Sequence, residues 1–151
     1  MADDFLPSVR PIFRAVSESV VPESASMSAP EWAAFERIVE RAIASRPPRL
    51  RRQLRLFLHA LQIASLARHG RTLGALDPAR RLRLLERVQD SRTLALRRGM
   101  WGVRTLILMG YYARPGVGSS LGYRASRAGW TTRGTGHSVP LPPTEVWVEP
   151  A

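Results

Sequence analysis

Few side chains in this chain can do acid–base or metal chemistry, and their spacing is poor for either. The histidines are His59, His69 and His137. His59 has no second His four residues on and no HExxH pattern, so it forms no zinc pair on one helical face. His69 falls where a helix is expected to end, a position at which the helix dipole favours a cation. His137 stands beside Ser138 in a Gly-rich stretch. Glu36 and Glu40 are one helical turn apart, close enough to share an ion. A carboxylate metal site in a bundle also needs an ExxH motif from another helix, and the chain has none, so a solvated helix face is expected there. Gly116-Val117-Gly118 opens like a dinucleotide fingerprint, but Leu121 takes the place of the third glycine and the run follows a helix instead of a strand. A P-loop and a nucleophile elbow are both missing, and without cysteine there is neither a thiolate ligand nor a disulfide. The sequence is therefore expected to hold no catalytic, cofactor-binding or metal-binding residue of its own.

Charge is the strongest compositional signal. All 23 basic residues are Arg, against 12 Asp and Glu. Residues 1–45 carry four Arg and seven acids, whereas residues 46–104 carry fifteen Arg and three acids. Such a patch can meet nucleic acid, anionic lipid or an acidic protein surface. Arg clusters at 49–55 and 80–83 suit phosphate contacts. Yet they interleave with Leu as on the outer face of an ordinary bundle, with no helix-turn-helix or RNP pattern. Nucleic-acid binding is the alternative function, and the less favoured one.

The positions of these groups depend on helices. Pro11 suits the start of a first helix that runs to about Val20, with Val16 and Val20 on one face before Val21-Pro22. Ser28 as N-cap, with Pro30 and Glu31 in the first turn, opens a second helix whose apolar stripe is Trp32, Phe35, Ile38, Val39 and Ala42. After Pro47-Pro48, a third runs from about Arg49 to Arg68 on Leu50, Leu54, Phe57, Leu58, Leu61 and Ala64, ending at Gly70. Asp77-Pro78 starts a fourth, with Leu82, Leu85 and Val88 inward. Ser91 is the expected cap of a fifth, from about Arg92 to Ala113, with stripe Leu96, Met100, Val103, Ile107 and Tyr111. Gly99 and Gly102 in its interior point to a bend or close packing. No strand-like alternation precedes residue 113, so the fold class is all-α, a small bundle of about five helices over residues 1–113.

Residues 114–151 differ, with six of the eleven Gly and five of the twelve Pro, yet Leu121, Tyr123, Trp130, Val139, Leu141, Val146, Trp147 and Val148 are spread through them. Ordering a residue costs about 1–2 kcal/mol of backbone entropy, so an extended, irregular tail of this length needs a surface on which to bury those groups. Docking on a partner subunit, with the aromatic residues as anchors, is one reading; a tail folded back on the bundle, or simply frayed, is the other. The longest apolar run, Leu106 to Ala113, is far short of the roughly 20 residues a membrane span needs. With no signal-type segment near Met1, a cytoplasmic location is expected.

The order of segments resembles the gluconate 2-dehydrogenase subunit 3 family, small subunits of bacterial FAD-dependent oxidoreductases of the glucose-methanol-choline (GMC) type. The resemblance runs over roughly residues 9–130. It rests on Phe13-Arg14-Ala15-Val16 with Val20-Val21-Pro22, on Leu54-Arg55-Leu56-Phe57-Leu58 and Leu73, and on the Arg81/Leu85 helix. Its most specific part is Gly110-Tyr111-Tyr112-Ala113-Arg114-Pro115 followed by Leu121-Gly122-Tyr123. It implies a non-catalytic subunit that stabilises a large subunit, with FAD and the catalytic base in that partner. Under it, Tyr112, Gly122, Tyr123, Trp130 and Trp147 are the expected partner-interface positions. Tyr111, which continues the fifth apolar stripe, is expected in the core.

Overall fold

The computed structural model describes residues 5–114, 116 and 117, and among them five α-helices and no strand. Helix α1 (Arg10–Val20) starts with Pro11 in its first turn and buries Ile12, Phe13, Val16 and Ser17, whose hydroxyl donates to the Phe13 carbonyl. A single 3₁₀ turn (Pro22–Ser26) leads to α2 (Ala29–Ala44). Glu31 closes the start of α2, accepting the backbone N–H of Ser28 at 2.8 Å and its hydroxyl at 2.7 Å. Inside, Phe35 stacks on Phe13 at 5.8 Å between ring centroids and meets Trp32 edge-on at 5.4 Å.

Helix α3 (Pro48–His69) ends at Gly70, whose φ of +64° is the left-handed cap that glycine adopts without a steric penalty. The following 3₁₀ turn (Leu73–Ala75) is tied back to α3. Gln62 accepts the Leu73 N–H at 3.1 Å, and the Ser65 hydroxyl donates to the Arg71 carbonyl at 2.8 Å. Helix α4 (Pro78–Gln89) is capped by Asp77, which accepts the Arg80 N–H at 2.9 Å. Helix α5 (Leu94–Tyr112) packs against all four others and forms the centre of the bundle.

Several expectations change. Ser91 does not cap α5: its hydroxyl accepts the Thr93 N–H at 3.1 Å in a local turn, so Thr93 takes the cap position and the helix starts at Leu94. In α4 the inward residues are Arg81, Leu84 and Leu85, while Leu82 is exposed. The phase is set by the buried Arg81, which reaches Glu18 of α1 at 3.1 Å and turns position 82 outward. In α3, Leu50 also lies outside, at the edge of a groove. The α5 glycines mark close packing. A Cβ at Gly110 would lie 2.7 Å from Val39 and 2.8 Å from the Phe35 ring, one at Gly99 would overlap the Phe57 ring, and one at Gly102 would sit 3.2 Å from Leu54.

Candidate partner interface

The carboxylates that looked most like ligands are used by the fold. Glu36 is only 9% exposed, not part of a solvated face. It accepts from Arg14 at 2.8 Å and Arg10 at 3.1 Å, clamping α1 to α2. Glu40, one turn on, accepts the N–H of Phe5 at 3.1 Å and that of Leu6, holding the buried N-terminal residues against α2. The two glutamates thus fix chain segments, each with its own partners. No group of three or more His, Asp and Glu among the described residues is placed to hold a metal. His59 is exposed and His69 half-buried.

The end of α5 is pinned in the same manner. Arg114 is buried, lies over the Tyr111 ring at 4.4 Å, and reaches Glu31 of the α2 cap at 3.4 Å. Hydrogen bonds from Ser28, with Arg114 adding a smaller effect, hold the Glu31 carboxyl below its usual range. The Arg80 backbone N–H does the same for Asp77.

The outward-facing residues are unusual in a different way. Trp101 is 73% exposed, Ile63 65% and Leu56 62%. An open groove of about 760 Å³ runs between α3 and the start of α5, walled by Leu50, Leu56 and Ala60 on one side and Leu94, Ala95 and Arg98 on the other. Arg98 also borders a second cleft, of about 390 Å³, in which Arg97 and Arg104 flank Trp101 and Gln89 closes the α4 side. Arg98 thus lines both the groove and the cleft. Single exposed apolar residues are ordinary, but an apolar groove beside a cleft that holds an exposed Trp and three Arg has the composition of a protein contact.

Of the interface positions expected from the sequence, Tyr112 is half exposed and meets Tyr111 edge-on at 5.3 Å. Tyr111 is partly buried against the core, as expected. Gly122, Tyr123, Trp130, Trp147 and His137 lie outside the described residues. Sequence reasoning passed over Trp101 and Leu94, and named Leu56 only as part of the Leu54–Leu58 motif. Trp101 falls between Met100 and Val103, off the α5 stripe, and that misfit was the available signal that it faces outward.

The family model for gluconate 2-dehydrogenase subunit 3 matches residues 9–132, most of the chain. No curated protein and no solved structure matches it significantly.

Proposed function

The chain belongs to the gluconate 2-dehydrogenase subunit 3 family, and from that membership we propose that it is a non-catalytic small subunit that binds and stabilises a FAD-dependent GMC-type large subunit. The observation that carries this reading is Trp101, 73% exposed in an Arg-lined cleft that shares Arg98 with the apolar groove. A large aromatic held out in water in such a setting gains only when a partner covers it, and Trp and Arg dominate the binding energy of protein interfaces. FAD belongs to the partner in this proposal, and so does the chemistry on the CH–OH group of an alcohol, sugar or glycoside. This chain supplies surface. Among the described residues no helix is long and apolar enough to cross a membrane. The cytoplasm is the compartment we propose, to be checked by fractionating cells that express the tagged full chain.

The test is co-expression of the full chain with the flavoprotein encoded beside it, followed by size exclusion with the flavin absorbance monitored. Co-elution with a yellow large subunit, and loss of soluble yellow protein when this chain is omitted, is the expected result. A large subunit that loads FAD, stays soluble and runs alone in its presence would reject the proposal.

A further inference from the structure

We infer that the groove between α3 and α5 receives an amphipathic helix of the large subunit, with its apolar side against Leu56, Ala60 and Leu94 and acidic residues facing Arg98 on the groove's edge and Arg97 and Arg104 in the adjoining cleft. The inference rests on the small-subunit reading above and goes further, naming the surface and the chemistry of its occupant.

Charge identifies the sign of that occupant. Neither α3 nor α5 contains an Asp or a Glu, while α3 carries five Arg and α5 three. Among the described residues no carboxylate pairs with Arg97, Arg98 or Arg104, in contrast to Arg10, Arg14, Arg80, Arg81 and Arg114, which all have one. A second copy of this chain docked face to face would set Arg against Arg. Residues 118–151, with three Arg and two Glu, bring no net negative charge either. An acidic partner completes the pairs.

Backbone hydrogen bonding identifies its form. Both walls are helices whose N–H and C=O groups are already used within the helix, so an extended strand laid along them would find no backbone partners. A helix brings its own bonds satisfied and needs only side-chain contacts, at spacings of three and four. The α3 wall from Leu50 to Ala60 spans about 15 Å at 1.5 Å per residue, enough for two to three turns of a guest. A nucleic acid would satisfy the Arg rim but leave Leu56, Ala60 and Leu94 uncovered.

Leu56→Asp, Leu94→Asp and Arg98→Glu are the variants to make, with Arg37→Glu on the exposed side of α2 as control. All four alter exposed positions, and circular dichroism checks that each stays folded. In the co-expression assay the three groove variants should weaken recovery of the yellow complex ten-fold or more while Arg37→Glu matches wild type. If all four match wild type, the groove assignment is overturned and the small-subunit reading stands. A second arm uses the full chain alone with a labelled Leu/Glu amphipathic helical peptide of about 18 residues and its Leu/Lys counterpart. Preference for the Leu/Glu peptide by ten-fold or more, lost in Leu56→Asp, supports an acidic amphipathic helix as the groove's occupant; if the flavoprotein nonetheless never co-elutes, the small-subunit reading fails and with it the assignment of that helix to the large subunit. Equal binding of both peptides, or displacement of the Leu/Glu peptide by duplex DNA through Arg98, overturns it.

Discussion

Glu36 shows how a residue can look like a ligand in sequence and turn out to be a clamp. Its two Arg partners come from α1, twenty-two and twenty-six positions away, and helical spacing along α2 carries no information about them. Replacing Glu36 by Ala leaves both guanidiniums without their acceptor and should lower stability by about 1–3 kcal/mol in urea unfolding. That is below the roughly 3–5 kcal/mol expected for a wholly buried pair, because Arg10 and Arg14 are 48% and 40% exposed and water re-solvates them. The two cap carboxylates make a prediction in pH. Glu31 and Asp77 have lowered native pKa values, the first through Ser28 and the second through the Arg80 N–H. A lowered native pKa means the carboxylate stabilises the fold above the ordinary value of about 4 and that this contribution is lost as pH falls through the native value. Thermal unfolding from pH 7 to 3 should therefore show wild type losing its margin over the Glu31→Gln, Asp77→Asn double variant on acidification. An unchanged margin would mean the caps contribute nothing through their charge.

At the scale of elements, most of the fold was legible because its punctuation is local. Ser28 with Glu31, Asp77-Pro78 and Gly70 each act within a few residues of the helix end they define. Errors occurred where a local sign competed with a distant contact. Ser91 is a better cap by type than Thr93 but is used in a turn, and Leu82 is a better core residue than Arg81 until Glu18 is placed opposite. The α5 glycines give a test that separates propensity from packing. Ala in a helix interior is worth about 1 kcal/mol over Gly, and forcing a methyl into a full core costs about 1–3 kcal/mol. At Gly102 only the end of Leu54 is near, at 3.2 Å, so Gly102→Ala should be neutral or slightly stabilising. At Gly110 the neighbours are Phe35 and Val39, both fully buried, so Gly110→Ala should be destabilising by about 1–2 kcal/mol. The difference between the two urea midpoints is the measurement, and equal shifts would show that α5 is free to slide on α2.

For the molecule as a whole, periodicity revealed which face of each helix is apolar but not which face meets which, and the candidate interface depends on the second question. Trp101 and Leu56 lie on different helices, and only the fold places them in two clefts that share Arg98. That surface predicts the behaviour of the free chain. Trp101→Asp should change its unfolding by less than about 0.5 kcal/mol, since surface substitutions seldom do more. The same change should weaken complex formation with the large subunit in the co-expression assay. A large loss of stability would instead place Trp101 in the fold's own packing. The contact of Gly110 with Phe35 and Val39, closed by Arg114 on Glu31 across 83 positions, also sets a timetable. A ribosome adds about 5–20 residues per second, so the aromatic face of α2 waits several seconds, through the synthesis of α3 and α4, before the end of α5 arrives to cover it. During that interval Phe13 of α1 is already made and can stack on one face of Phe35, but the edge of Phe35 and the side of Val39 that Gly110 meets stay open, so this part of the core closes only after the last helix has been made.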